Sequence, residues 1–166
     1  MRKQAAIRTS VCVYHFIYMK NELMKEAYKQ ALLAYKQDEV PVGCVIVLNN
    51  EIIAKAHNKK EKNNCAIHHA EIECIKKATK KINNWNLSKC EMYVTLEPCI
   101  MCTGAIINSR IKKVYFACKD SKGGAFVSNI KIKKIRNINH YPEYEYGMME
   151  KECSNLLKDF FKSKRI

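Results

Sequence analysis

Stretches with strand-like and helix-like patterns alternate along most of this chain of 166 residues. Apolar, β-branched runs predict strands at 42–48, 51–56, 92–96 and 113–117, with a weaker one at 144–149. Apolar residues at helical spacing, or a proline suited to a first turn, predict helices at 21–36, 69–81, 98–108 and 150–162. Such alternation is typical of α/β domains. We therefore expect a three-layer α/β/α fold around a central mixed sheet of about five strands.

Length and composition fit one ordinary globular domain. Hydrophobic residues make up 48% and charged residues 28% of the chain, which excludes a disordered or fibrous protein. No apolar run approaches the roughly 20 residues that cross a bilayer, so we expect no membrane partner. The nine cysteines are odd in number, and most lie singly in apolar segments. We interpret them as buried free thiols in a reducing compartment and expect a cytoplasmic location.

The first 18 residues differ from the rest, because they hold basic residues and no acid. Three interpretations stay open. The start codon could be assigned too early, with Met19 or Met24 as the true first residue. The segment could be a genuine extension. It could also be an organellar targeting peptide, although its apolar run is short and lacks a cleavage site. We divide the chain into an N-terminal extension of uncertain status, 1–18, and a single domain, 19–166.

Two short motifs, each at the start of a predicted helix, carry metal-binding chemistry. His69 and Glu71 open one helix, and Cys99 and Cys102 open another. A Cys-x-x-Cys pair at a helix N-terminus directs both sulfurs to one place, where the helix dipole favours thiolates. Two thiolates and one imidazole leave the fourth position of a zinc ion open, as in catalytic sites. The carboxylate of Glu71 would lie beside the metal as a base without being a ligand.

Each motif is weak alone. The cysteine pair could be a redox pair or a coincidence in a cysteine-rich chain. Cys65 or Cys74 could close a structural four-ligand site, although neither has good spacing. His68 could ligate in place of its neighbour His69. Because the two motifs occur together, each opening a helix, they favour a catalytic zinc site.

The two motifs resemble the zinc signature of the cytidine deaminase-like superfamily. More narrowly, the chain resembles the bacterial tRNA-specific adenosine deaminases from about residue 21 to 165. The stretches that carry this resemblance are 39–43, 56–58, 69–72, 93–102, 109–111, 120–125 and 153–165. Ile67 and His68 depart from the usual Thr-Ala of that family, and Cys118 stands where Gly or Ala is common. The first 18 residues have no counterpart.

The resemblance implies a zinc hydrolase that converts adenosine to inosine at the wobble position (34) of a tRNA and acts as a homodimer. His69, Cys99 and Cys102 would hold Zn²⁺. A zinc-bound hydroxide would attack C6 of adenine, with Glu71 as proton shuttle and ammonia as the leaving group. The resemblance also implies a set of substrate-binding residues that reach from the target base to the anticodon stem-loop: Asn58, Pro41, Val42, Gly43, Asp120, Lys122, Phe160, Phe161 and Arg165.

A large basic excess supports a nucleic-acid partner. The chain has 30 basic and 16 acidic residues, a net charge of +14. A biased genome would also enrich lysine, so charge alone does not decide. Basic clusters at 59–60, 131–136 and 162–165 are candidates for phosphate contacts. Two other functions stay open: a deaminase of a free base or nucleoside, which would not need the basic C-terminal helix, and a non-catalytic RNA-binding subunit that keeps zinc.

Overall fold

The computed structural model describes the backbone of residues 2–165 and the side chains of residues 18–165. In chain order its elements are α1 (Arg2–Lys36), β1 (Gly43–Leu48), β2 (Glu51–His57), α2 (Ala70–Ile82), β3 (Cys90–Leu96), α3 (Ile100–Asn108), β4 (Lys113–Cys118), β5 (Glu143–Tyr146) and α4 (Glu150–Ser163). The division at residue 18 stays a prediction, because the side chains before that point lie outside the described residues.

The strands form one mixed sheet in the order β2-β1-β3-β4-β5. β1 is antiparallel to β2 and β3, whereas β3, β4 and β5 run parallel to one another. β1 and β2 form the predicted hairpin, whose turn places Asn49 and Asn50 at positive φ. Positive φ at both central positions suits the right-handed twist of the strands, and asparagine tolerates it. The predicted mixed sheet of five strands is confirmed.

Helices cover both faces of the sheet. α1 and α4 pack on one face, where Leu23, Met24 and Cys153 join a buried cluster with strand residues. α2 and α3 pack on the other face, and Cys74 and Ile106 belong to the cluster there. The apolar residues spaced for a helix thus turn inward, as an amphipathic helix requires. The three-layer α/β/α arrangement is confirmed.

The contact between α1 and β1 depends on a glycine. A Cβ on Gly43 would lie 2.1 Å from the Ala27 carbonyl oxygen and 2.4 Å from the Ala31 nitrogen. No side chain fits between these backbones, so the helix and the strand touch directly. Ala27, Ala31 and Ala34 are fully buried on the helix side of this contact. The close approach fixes the start of β1, directly after Val42 at the edge of the site described below.

The parallel pairing of β3 and β4 determines where the motifs meet. Both strands end at one edge of the sheet, β3 before Glu97 and β4 at Cys118, and α2 and α3 begin at the same edge. Carboxyl ends of parallel strands are the usual place for a ligand site. β5 ends earlier than the predicted strand 144–149, since Gly147 turns the chain with φ of 106°. None of the helices described here combines the length and apolarity that a membrane crossing needs.

Candidate active site

The structure brings three predicted metal ligands together. His69 immediately precedes α2 and Cys99 immediately precedes α3, both with extended backbone and without capping their own helix. Their side chains are therefore free to point into the space between the two helix starts. His69 Nδ1 lies 3.7 Å from Cys99 Sγ and 3.6 Å from Cys102 Sγ. Within residues 18–165, these three residues form the one group of His, Cys and acidic side chains placed to hold a metal.

The donor set fits zinc. One nitrogen and two sulfurs lie within 4.8 Å of one another. Ligands at 2.0–2.3 Å from a tetrahedral ion are separated by about 3.6 Å, close to the observed spacing. His68, the alternative ligand, points elsewhere: its Nδ1 lies 2.7 Å from the Asn63 amide nitrogen. Cys74 donates its thiol to the Cys44 carbonyl oxygen at 3.6 Å and is also outside the group.

Protons are unevenly shared among these ligands. The pKa of Cys99 falls to about 4, first because the Cys102 thiol donates a hydrogen bond to it and also because His69 does. The pKa of Cys102 is raised, since it is that donor and is buried. The pKa of His69 is raised by its hydrogen bond to Cys99. The lowered pKa of Cys99 favours its thiolate, the form that binds metals.

Glu71 lies on the first turn of α2 with its side chain almost fully buried. Burial raises its pKa above the ordinary value for a glutamate, more than the hydrogen bond with its own backbone lowers it. A raised pKa makes a carboxyl a stronger base, which suits a group that accepts a proton and returns it. Glu73, two residues along, does not line the cavity described below; its largely buried side chain pairs with Lys76 at 2.9 Å and lies 3.9 Å from His68 Nε2.

A small cavity of about 170 Å³ opens onto two of the ligands, His69 and Cys99, and onto Glu71. Typical small-molecule pockets measure 300–1,000 Å³, so this cavity admits a group no larger than one heterocyclic base. Besides these three residues, its wall contains the apolar residues Val40, Val42 and Leu96 and the polar residues Glu39, Asn58, Lys60, Glu61, Glu97 and Asp120.

Only some of the residues predicted to contact the target base line this cavity. Val42 and Asn58 line it, whereas Pro41 and Gly43 do not. The open space that Gly43 provides is filled by α1 and not by a ligand. Asn58 Oδ1 accepts a hydrogen bond from the Ala70 amide at 2.9 Å, and its Nδ2 donates to the Val40 carbonyl oxygen at 3.0 Å. Asn58 thus fixes the start of α2 and the cavity wall.

A wider groove continues from the cavity toward α4. It measures about 770 Å³ and shares Val40, Leu96 and Asp120 with the cavity. Its cationic side chains are Lys119, Lys122, Lys158, Lys162 and Arg165, and Phe161 contributes an aromatic ring that is 47% exposed. We call this surface the basic groove. The predicted residues Asp120, Lys122, Phe161 and Arg165 are all placed there.

Phe160 is a correction to the predicted substrate contacts. Its side chain is buried and packs edge-to-face on Tyr35 of α1, with ring centroids 5.8 Å apart. Successive residues of a helix face different directions, so only Phe161 of this pair reaches the groove. Lys164 pairs with Asp38 at 2.5 Å and ties the end of α4 to the segment before β1.

Two buried glutamates at the cavity were missed by sequence reasoning. Glu39 accepts hydrogen bonds from the backbone amides of Glu61 at 3.1 Å and Lys62 at 2.7 Å. Glu97 accepts four hydrogen bonds from residues 120–128. Burial alone would raise the pKa of Glu97, but the bonds from Ser128 and the backbone outweigh it and lower that pKa. In the sequence, Glu39 and Glu97 are each marked by their position next to an apolar run.

The chain has close relatives among known deaminases. Residues 18–165 match the family described as MafB19-like deaminase. A tRNA-specific adenosine deaminase from Bacillus subtilis is 44% identical over 142 residues, covering 86% of this chain and 88% of the relative. A tRNA-specific adenosine deaminase from Aquifex aeolicus is 45% identical over 146 residues, covering 88% of this chain and 96% of the relative.

A solved structure agrees with these relatives. It comes from biochemical and structural studies of A-to-I editing by tRNA:A34 deaminases at the wobble position of transfer RNA. It superimposes with a TM-score of 0.80 at 36% identity, covering 82% of this chain and 99% of that one. The resemblance seen in the sequence motifs is thereby confirmed. The chain belongs to the family of tRNA-specific adenosine deaminases, within the MafB19-like deaminases.

Proposed function

We propose that this protein hydrolyses adenosine to inosine at the wobble position (34) of a tRNA. One observation carries the proposal. A group of three metal ligands, two of which line a cavity of base size together with a buried glutamate, lies where that cavity opens into a basic groove. The cavity admits a single base, and the groove suits the nucleic-acid chain from which that base comes.

The proposed cofactor is Zn²⁺ held by His69, Cys99 and Cys102. Zinc bound there would supply Lewis-acid activation of water near neutral pH. The protein contributes the orientation of its ligands, because two of them occupy the residues just before rigid helices. It also excludes bulk water, since Cys102 is fully buried and the other two are partly covered.

Glu71 is the proposed proton carrier. Its carboxylate accepts a proton from the water whose oxygen bonds to C6 of adenine. It then returns that proton to the substrate, the bond between C6 and the exocyclic nitrogen breaks, and ammonia leaves. The net reaction consumes adenosine and water and yields inosine and ammonia. The raised pKa of this buried carboxyl suits a group that must both accept and donate.

The basic groove is the proposed site for the anticodon stem-loop. Lys122, Lys162 and Arg165 provide charges for phosphates, and Phe161 provides a ring on which an unpaired base can stack. Bases in such loops are partly unstacked, so turning one into the cavity costs little. Asn58 is proposed to act on the substrate by holding the cavity wall, and Val42 by contact with the base.

The proposal includes a homodimer in the cytoplasm. Ile67 and Ile100 are 54% and 64% exposed, and each lies within two residues of a metal ligand. We propose that a second copy covers these two side chains, next to the metal ligands in sequence. The eight cysteines in the described part of the chain are all free, as expected in a reducing compartment.

The substitution Ile100→Glu tests the dimer. It is expected to shift the mass in solution from dimer to monomer.

The test is inosine formation on an anticodon stem-loop with adenosine at position 34, read by sequencing. Glu71→Ala is expected to lower turnover by about 10³-fold or more while zinc stays bound. The matched control is Glu73→Ala, two residues along the same helix, which is expected to keep turnover within about threefold because that side chain faces Lys76.

Two outcomes would contradict the proposal. Undiminished turnover in Glu71→Ala would exclude this carboxylate as the proton carrier. Release of ammonia from free adenosine or guanine, with no reaction on the stem-loop, would identify a deaminase of small molecules.

A further inference from the structure

Glu97 connects the metal-ligand turn to a loop distant in sequence. It follows β3 and lies two residues before Cys99, with its side chain only 2% exposed. One carboxylate oxygen, Oε1, accepts hydrogen bonds from the backbone amides of Val127 at 2.7 Å and Ser128 at 3.0 Å. The other oxygen, Oε2, accepts from the backbone amide of Asp120 at 3.1 Å and from the Ser128 hydroxyl.

The loop concerned spans residues 119–129, and we call it the Asp120 loop. It contains no helix and no strand of the sheet. A Cβ on Gly124 would lie 2.4 Å from the Glu97 carboxyl carbon, so the loop backbone rests directly on the carboxylate. The Ala125 amide also donates to the Pro98 carbonyl oxygen at 2.9 Å. These contacts attach the loop to the turn that carries Cys99.

The same loop forms walls of both recognition surfaces. Asp120 lines the cavity and the basic groove, and Lys119 and Lys122 line the groove. The distance between the metal ligands and the groove therefore depends on how the loop is held. We propose that Glu97 is a positioning residue for the RNA, one that fixes the groove relative to the reacting base. This inference rests on the proposed function.

Only a carboxylate satisfies this set of donors. Four hydrogen bonds reach its two oxygens. Three of the donors are backbone amides, which can only donate and cannot reverse their role as a hydroxyl can. A glutamine in the same place offers one oxygen. It can accept from Val127 and Ser128 while its nitrogen donates to the Ser128 hydroxyl, but that nitrogen then faces the Asp120 amide, donor against donor.

This asymmetry gives a matched pair of variants. Glu97→Gln removes the acceptor of the Asp120 amide and keeps the bonds to residues 127 and 128. Ser128→Ala removes the hydroxyl bond to the same oxygen and keeps all three backbone bonds. Both variants delete one hydrogen bond from one carboxylate oxygen, but only Glu97→Gln releases the residue shared by the cavity and the groove.

The measurements are kcat and KM on the stem-loop, zinc content, and hydrogen exchange of individual amides. For Glu97→Gln we expect KM to rise about tenfold, with kcat within about threefold. Zinc content is expected to be unchanged, and exchange to accelerate at residue 120 but not in the sheet. For Ser128→Ala we expect KM within about twofold of the wild type. If Glu97→Gln fails to fold, exchange of the Asp120 amide in the wild type decides: protection of this loop amide supports the inference, and exchange at the rate of an unprotected amide overturns it.

Equal KM values in Glu97→Gln and Ser128→Ala would overturn the inference. So would a loss of activity in Glu97→Gln that follows a loss of zinc or a general rise in exchange, because Glu97 would then act only on folding. A wild-type protein inactive on the stem-loop would instead contradict the proposed function. In that case local exchange at residue 120 still decides whether Glu97 holds the loop.

Discussion

The imidazole of His57 is buried at the end of β2, and its Nε2 has no hydrogen-bond partner among the side chains of residues 18–165 and the described backbone. Its Nδ1 lies 3.5 Å from Gln30 Oε1 on α1. Burial lowers the pKa of His57, and the charges of Lys59 and Lys77 lower it further, while Glu39 opposes them. The folded protein therefore favours the neutral imidazole.

The buried imidazole makes stability depend on pH in a definite direction. In the unfolded chain histidine binds a proton near pH 6.5, whereas in the folded chain His57 binds it only at lower pH. The unfolded state then holds more protons below pH 6.5, and the free energy of unfolding decreases. We expect His57→Gln to lose less stability than the wild type between pH 7 and pH 5, in urea unfolding of both proteins. Parallel decreases in the two proteins would contradict this assignment.

The chemistry-bearing side chains could be predicted because each follows from local spacing. His69, Cys99, Cys102 and Glu71 lie in two short motifs, and the helix starts bring them together. Glu97 could not be assigned in this way, since its hydrogen-bond donors are more than twenty residues away in sequence. The roles of Gly43 and Phe160 were missed for a similar reason: each contacts α1, which no local pattern indicates.

Among the secondary-structure elements, the contact of α1 with β1 gives the sharpest test. Gly43→Ala would force a methyl group into two backbone atoms and is expected to destabilise the fold by about 3 kcal/mol or more. Gly104→Ala is the matched control in α3, because no atom in the described part of the chain lies within 4 Å of the added Cβ. It is expected to stabilise by about 0.5–1 kcal/mol. Urea unfolding measures both, and a tolerated Gly43→Ala would show that the two backbones can separate.

The helix predicted at 21–36 begins much earlier in the structure, because α1 runs from Arg2 to Lys36. The limits of the other elements followed from the sequence to within a few residues. The hairpin of β1 and β2 and the helix α4 agree with their apolar patterns. α2 begins one residue later than predicted and α3 two residues later. His69 and Cys99 have extended backbone, and their side chains join the group of metal ligands instead of the first helical turn. The pattern alone does not show that a side chain is recruited in this way.

Of the positive charge on the whole protein, we expect the part at the basic groove to contribute most to RNA binding. If its cationic side chains hold phosphates, raising salt from 50 to 200 mM should weaken stem-loop binding roughly tenfold to a hundredfold. Lys162→Ala is expected to make the slope of log affinity against log salt shallower by about one. Lys81→Ala, which alters an exposed lysine on α2, should leave the slope unchanged. Equal slopes for both variants would place the RNA elsewhere.

The cavity and the basic groove overlap in three residues, Val40, Leu96 and Asp120. Most residues that can select the reacting base are therefore different from those that can select the RNA. Side chains along the outer face of α4 can diverge, whether by natural drift or by laboratory redesign, and redirect the enzyme to other RNAs while the chemistry stays intact. Changes at the three common residues, by contrast, would alter both choices together.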